Sequence, residues 1–476
     1  MKFIADLHIH SKYSRATSKD MTLEELDRWA DDKGILVIAT GDFTHPDWFK
    51  EIKEKLEPAE PGLFKLKPQY KKKTIKGTLA ETRFFLSTEI SSIYSKHGST
   101  RIGTRIDTDT KRVYRIHNLV FAPDIETVEK INTQLGWIGN LKSDGRPILG
   151  LDAQELAKIV LNIDSRAAVV PAHIWTPWFS LFGSMSGFDS IEECFGDYTK
   201  YIFAGETGLS SDPAMNWRLS QLDNIALISN SDSHSLQRIG REANAFDTDL
   251  SYDGIIAAIK DGARSENRSR TTLMSTQKDA EVIGFNQRTY QRQSASKFLY
   301  TIEFFPEEGK YHYDGHRLCG VVFSPEETKK HNGICPKCGK KLTIGVMNRV
   351  EELADRPPIE SESKGFYQSY NNRVPYYNLI PLDEIIADVY GLNVNARKVK
   401  EEYENLIKIF GNELKILLEV KDEEMKGVID EKIRQGIKAV REKRLKIQPG
   451  YDGEYGKIAI FNKVERKEIE PQKTLF

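Results

Sequence analysis

The chain has 476 residues, 39% of them hydrophobic and 29% charged, with a formal net charge of −1. That length predicts about two or three domains with at least one large core, and the absence of an apolar run of about eighteen residues speaks against a membrane span. The near-neutral balance gives no global attraction to a polyanion, so any such partner must be held by local basic surface.

The first predicted strand covers Met1 to Leu7 and breaks off into His8-Ile9-His10. Alternate residues of a strand share a face, so both imidazoles point the same way, which makes half of a metal site. Thr22-Leu23-Glu24-Glu25 then reads as a capping box. Leu23, Leu26, Trp29 and Ala30 fall on one helical face, Gly34 can end that helix, and Ile35 to Ala39 follows as an apolar strand. The unit is β-α-β.

The same grammar recurs at Phe84 to Ser87, Tyr114 to Phe121, Ala167 to Val170, Tyr201 to Ala204 and Ile225 to Ile228, which brings the count to seven strands. Strands alternating with helical segments predict an α/β fold with a parallel sheet, open or closed into a barrel, and an active site at the carboxyl ends. At or near those ends stand His8 and His10, Asp42, Glu89, His117, His173, Glu206, and Asp232 with His234. Histidines and carboxylates gathered at one rim suit two or three divalent cations sharing bridging carboxylates.

Two lysine- and arginine-rich clusters, Lys65 to Lys76 and Arg264 to Lys297, are candidate polyanion surface or simply solvated faces. Three of the four cysteines lie within twenty residues, which points to a metal site rather than to disulfides. His316 with Cys319, and Cys335 with Cys338, form two ligand pairs that fit a closed tetrahedral Cys3His structural zinc site, with His312 and His331 as competitors for the fourth position. Lys337, Lys340, Lys341 and Arg349 would give it a basic rim, and Cys194 reads as a buried thiol. From Ala396 the pattern turns helical, with Val399, Tyr403, Leu406, Ile407 and Phe410 on one face before Gly411. The N-terminus carries no basic-then-apolar leader pattern, so the predicted location is cytoplasmic, with no membrane partner.

Asp6-Leu7-His8-Ile9-His10-Ser11, Thr40-Gly41-Asp42, Glu89, His117, His173 and Asn230-Ser231-Asp232-Ser233-His234 together resemble the polymerase and histidinol phosphatase (PHP) superfamily. Within it the chain is similar to the endonuclease Q family, over nearly its whole length, through Ser14 to Met21, Pro171 to Trp178, Glu206 to Pro213 and the cysteine module. The resemblance implies a distorted seven-stranded β/α (PHP) barrel over residues 1–300, a zinc-binding module over 301–348 and a mainly helical C-terminal domain over 349–476. It implies barrel metals (Zn, Mg or Mn) held by His8, His10, Asp42, Glu89, His117, His173, Asp232 and His234, with Asp232 and His234 nearest the reacting phosphate. Asp42 stands where many superfamily members have a histidine, and Lys12 to Ala16 offers no further one.

The implied activity is DNA repair: hydrolysis of the phosphodiester 5′ of uracil, hypoxanthine, xanthine or an abasic site by metal-activated water, with damaged DNA and a sliding clamp as partners. An enzyme acting beside one base must extract it, and an inserted aromatic can fill the vacated stack. Trp178 and Phe182, in the aromatic loop after His173, are the candidate wedge. The alternatives are a small-molecule phosphatase of the same superfamily and a non-catalytic DNA-binding scaffold.

Overall fold

In a computed structural model, residues 1–102, 105–263, 296–359, 362–364, 367–371 and 373–461 are described. The elements of the first half are β1 (Lys2–Asp6), α1 (Leu23–Lys33), β2 (Val37–Ala39), α2 (Pro46–Lys55), β3 (Leu56–Pro58), β4 (Phe64–Leu66), β5 (Arg83–Phe85), β6 (Ser87–Ile102) and β7 (Arg105–Phe121). They continue with α3 (Ile125–Gly136), β8 (Ile148–Leu149), α4 (Ala153–Ile163), β9 (Ala168–Pro171), β10 (Ala204–Glu206), β11 (Ala226–Ile228), β12 (Ala243–Asp247) and β13 (Lys297–Glu303).

The first β-α-β unit forms as its sequence predicts. Thr22 caps α1 by accepting the Glu25 N–H, and Gly34 closes it at φ 95°, a left-handed conformation that only glycine adopts cheaply. The reciprocal half of the capping box is missing, because the Glu25 carboxylate binds Arg28 and Lys72 instead. β1 is then parallel to β2, and β2 to β5.

Beyond that point strand direction departs from the parallel expectation. The long strands β6 and β7 form an antiparallel hairpin, β9 is antiparallel to β7, and β12 is antiparallel to β1. The strands fall into separate sheets: one of ten strands, one of four (β8-β6-β7-β9) and a pair (β10-β11), besides two small hairpins. Single hydrogen bonds join their ends, Ile174 N–H to Glu206 O at 3.0 Å and His10 N–H to Ser233 O at 2.9 Å. Among the described residues the seven-stranded barrel is therefore not closed by continuous ladders. Apolar alternation reports which face is buried and carries no information on strand direction, so it does not distinguish this hairpin from two parallel members of a sheet. The inward side chains nevertheless share one core, with Leu7, Val37, Phe85, Leu119, Val170 and Ile228 in a single buried cluster.

In the second half, β14 (Asp314–His316) and β15 (Val321–Phe323) pair as a small hairpin, followed by a helix over Pro325–Lys330. Residues past 349 are not purely helical: β16 (Glu362–Lys364), β17 (Tyr367–Ser369) and β18 (Tyr376–Asn378) extend the large sheet, with β18 parallel to β13. The helices Leu382–Tyr390, Arg397–Phe410, Glu413–Leu418 and Glu431–Arg441 follow. They are tied to α1 by a buried network in which Lys33 Nζ lies 2.6 Å from Glu413 Oε2, while the Tyr403 hydroxyl and the Leu382 N–H also donate to that carboxylate. Among the described residues no helix is long and apolar enough to cross a membrane.

Much of the first basic cluster is consumed internally. Lys71, Lys72 and Lys76 lie against Asp27, Glu25 and Asp31 of α1, and Lys65 against Glu57. The arginines of the second cluster, Arg264 to Arg292, lie outside the described residues.

Candidate metal centre

β1 delivers His8 and His10 to the rim just after its last residue. The chain there is pinned by Leu7 N–H to Asn230 Oδ1 (2.8 Å) and by a parallel bridge between Ile9 and Ser233. Gly41 is required beside it: at φ 60° its Cβ would lie 2.3 Å from the Ile9 carbonyl. The β6/β7 register pairs Glu89 with Leu119 and Ser91 with His117, so Glu89 and His117 are diagonal neighbours on one face. His173 and Asp232 follow β9 and β11 with φ of 29° and 46°. Left-handed backbone at non-glycine residues is strain that folds keep at functional sites.

Two donor groups result. His8, His10, Glu89 and Asp232 form one and Glu89, His117 and His173 the other, with ligand atoms within 4.8 Å of one another in each. Glu89 is the shared member. Its Oε1 lies 2.7 Å from His117 Nδ1 and 3.0 Å from His173 Nε2, and its Oε2 lies 3.2 Å from His10 Nε2 and 3.7 Å from His8 Nε2. Asp232 Oδ1 is 3.1 Å from His10 Nε2 and 3.6 Å from His8 Nε2.

The chemistry of this set fits cations. His8 Nε2, His10 Nε2 and Asp232 Oδ1 are buried, face one another and make no hydrogen bond. Three orphaned polar atoms would be costly to bury, whereas imidazole nitrogens around a bridging carboxylate are what zinc or manganese accept. The titration pattern agrees. Burial alone would push His8 down, but Glu206 and Asp232 outweigh it and hold the ring well above the usual imidazole value; Asp42 and Asp232 do the same to His10. Despite burial, His117 and Arg146 hold Glu89 well below the usual carboxylate range, and His8 and His10 do so for Asp232. His117, where burial wins over Glu89, falls to about 4.

The other residues anticipated from the sequence take different positions. Asp42 stands one step back: Oδ1 meets His10 Nδ1 at 3.0 Å, and Oδ2 accepts from Ser11 N–H, the Ser11 hydroxyl and the Ser14 hydroxyl at 2.6, 2.7 and 2.9 Å. Glu206 does the same for His8, at 3.0 Å from its Nδ1, and also accepts from His173 N–H and Asn230 Nδ2. Carboxylates that grip the far nitrogen of a ligand histidine orient it and raise its basicity. The His234 ring meets that of His10 at 4.4 Å, tilted by 47°, its Nδ1 is 2.9 Å from the Asp232 carbonyl, and it belongs to neither donor group. Arg146, with Nη1 3.1 Å from Glu89 Oε2, escaped the sequence reading, because a loop arginine carries no spacing signal.

The aromatic loop packs on this centre. Phe179 lies 4.8 Å from the His117 ring, and Trp175 donates to Asn216 Oδ1 at 2.7 Å. Phe182, proposed above as a wedge, is fully buried against Trp175, so it is core and not available for insertion. Trp178 is 38% exposed and meets Tyr311 edge-on at 5.4 Å.

In the cysteine module, the donor atoms of His316, Cys319, Cys335 and Cys338 lie within 4.8 Å of one another. His316 Nδ1 is 3.5 Å from Cys338 Sγ. The competitors lie elsewhere, His312 buried and stacked on Tyr313, His331 stacked on Phe323.

Comparison with known proteins adds the family. Residues 381–444 match the family model described as the MJ0043 C-terminal domain. Over 346 residues the chain is 32% identical to an uncharacterised Methanocaldococcus jannaschii protein, MJ0043; that match covers 71% of this chain and 38% of the relative, well under half of its length. The crystal structure of the lesion-specific endonuclease PfuEndoQ from Pyrococcus furiosus matches with a TM-score of 0.74 and 28% identity, covering 100% of both chains. An endonuclease Q complex with a 27-mer duplex substrate bearing an abasic lesion at the active site matches with a TM-score of 0.73 and 29% identity over 99% of each chain. The likeness of this chain to endonuclease Q, in sequence and in fold, thus runs the full length of both chains.

Proposed function

We propose that this protein is a DNA repair endonuclease that hydrolyses the phosphodiester 5′ of a deaminated base (uracil, hypoxanthine or xanthine) or an abasic site. The observation that carries the reading is the pair of donor groups joined at Glu89 with three orphaned buried atoms, in a chain that matches a lesion-specific endonuclease end to end.

His8, His10, Glu89, His117, His173 and Asp232 are the residues to hold zinc, magnesium or manganese, with Asp42 and Glu206 aligning the histidines. Divalent cations held there supply the Lewis acidity that makes water a nucleophile near neutral pH and offsets charge on the phosphate. His234 is part-exposed beside Asp232, and burial together with His10 holds it below the usual imidazole value. The His316, Cys319, Cys335 and Cys338 group takes one structural zinc, and a closed site of this kind holds a segment too small to fold on its own core. Trp178 is the aromatic that stays available to the duplex. Our organisation of the chain is catalytic residues 1–300, a zinc module 301–348 and a C-terminal part 349–476, in a cytoplasmic protein with a sliding clamp as a further partner.

The test is a nicking assay on labelled duplexes carrying one deoxyuridine, deoxyinosine or abasic site, with Mg2+ or Mn2+, beside an undamaged duplex and Asp232→Ala. We expect a single cut 5′ of the lesion that Asp232→Ala abolishes. No cut on any damaged strand, together with turnover of a free phosphomonoester, would replace this reading with the phosphatase one.

A further inference from the structure

The segment leading into β8 puts an arginine at the junction of the two donor groups. Arg146 Nη1 lies 3.1 Å from Glu89 Oε2, the same oxygen that faces His8 and His10. Among the described residues it is the one Lys or Arg within ion-pair distance of Glu89, Asp232, Glu206 or Asp42. Its side chain is 27% exposed, so the arginine that meets Glu89 also reaches solvent.

The backbone that presents it is held from several sides. Asp144 Oδ1 accepts the N–H groups of Arg146 (3.1 Å) and Arg15 (3.3 Å), Gly145 N–H donates to the Tyr13 carbonyl (3.1 Å), and Ser91 N–H donates to the Pro147 carbonyl (3.0 Å). Gly145 has no room for a side chain: a Cβ would lie 2.3 Å from both Asp42 Oδ2 and Ser14 Oγ. The loop thus rests directly on the support of His10, and the contacts that position the donors also position the arginine.

The plainer use of such a residue is as a counter-ion for Glu89. That carboxylate, however, already has four imidazoles within 3.7 Å, and a pure counter-ion gains nothing from reaching solvent. A phosphodiester must bring its charge to a centre that already holds Glu89, Asp232, Glu206 and Asp42. A planar guanidinium fork matches phosphate oxygens, and its weak hydration makes it cheap to desolvate.

We propose that Arg146 is the phosphate-binding residue of this site, holding a non-bridging oxygen of the scissile phosphate against the Glu89-centred donors. The assignment rests on the phosphodiesterase reading above and identifies the group that receives the substrate's charge.

The experiment compares wild type, Arg146→Ala and Arg146→Lys, each loaded with Mn2+. Mn2+ stoichiometry and melting are measured first, then kcat and KM on an abasic duplex, then binding of inorganic phosphate by calorimetry. We expect Arg146→Ala to keep its Mn2+, to lose about 10²–10³ in kcat as for removal of one preorganised donor, and to recover part of the loss with free guanidinium. Arg146→Lys should fall between. Loss of Mn2+ from Arg146→Ala, with no response to guanidinium, would make the residue a counter-ion and overturn the proposal. Phosphate binding separates this from the nuclease reading: a wild type that binds phosphate at least about tenfold more tightly than Arg146→Ala but nicks no duplex supports Arg146 and sinks the DNA assignment. Equal phosphate binding by the two overturns Arg146 whatever the nicking assay gives.

Discussion

At His8 and His10 burial and charge act in opposite senses, and charge wins. Glu206 and Asp232 around one ring, and Asp42 and Asp232 around the other, keep both protonated to higher pH than a free imidazole. A protonated ring cannot ligate, so an entering cation must displace those protons, and the displacement is harder at low pH. We therefore expect Mn2+ affinity to rise from about pH 6 to about pH 8 with measurable proton release, read by calorimetry in two buffers of different ionisation enthalpy; pH-independent uptake would remove the two histidines from the ligand set. Asp42→Asn should weaken Mn2+ binding about 10–100-fold, the usual cost of a lost orienting carboxylate. The two histidines were legible because His-x-His at a strand end shares a face. The roles of Asp42 and Glu206 were not, since ligand and supporting carboxylate differ only in which ring nitrogen they meet, and no one-dimensional pattern records that.

The aromatic loop and the β6/β7 hairpin mark the limit of reading elements from a sequence. Trp175 to Phe188 was recognisable as an aromatic loop beside a ligand, but which ring faces water depends on what packs over it. Phe182 is enclosed, and Arg349 Nε donates to its carbonyl at 3.1 Å, whereas Trp178 keeps an open face. Phe182→Ala should cost about 3–5 kcal/mol of stability, as for other large core truncations. Trp178→Ala should melt near wild type while nicking damaged duplex more slowly. Urea titrations and lesion kinetics check the pair, and a stable Phe182→Ala beside an unfolded Trp178→Ala would reverse their roles. In the hairpin, Glu89 and His117 were both identified as strand-end donors, yet they meet as diagonal neighbours of an antiparallel ladder.

At the scale of the whole molecule, α1 and the C-terminal helices are locked by Lys33, Glu413 and Tyr403, residues up to 380 positions apart. Removing one partner of a buried pair strands the other charge, so Lys33→Ala should cost about 3–5 kcal/mol, and Lys33→Met with Glu413→Leu should recover much of it; a loss below about 1 kcal/mol in the single variant, measured by denaturant unfolding, would mean that water replaces the lysine. By itself the sequence pointed to the six side chains that make up the two donor groups, to the His316, Cys319, Cys335 and Cys338 cluster and to the amphipathic C-terminal helices, because each is a local spacing that the geometry of a strand, turn or helix translates directly. Only the tertiary structure decided strand direction and the unclosed sheets, the sharing of Glu89 between two donor groups, the burial of Phe182 and the presence of Arg146. Those depend on which distant segments meet, and the free energy that selects among such meetings belongs to the packed core as a whole.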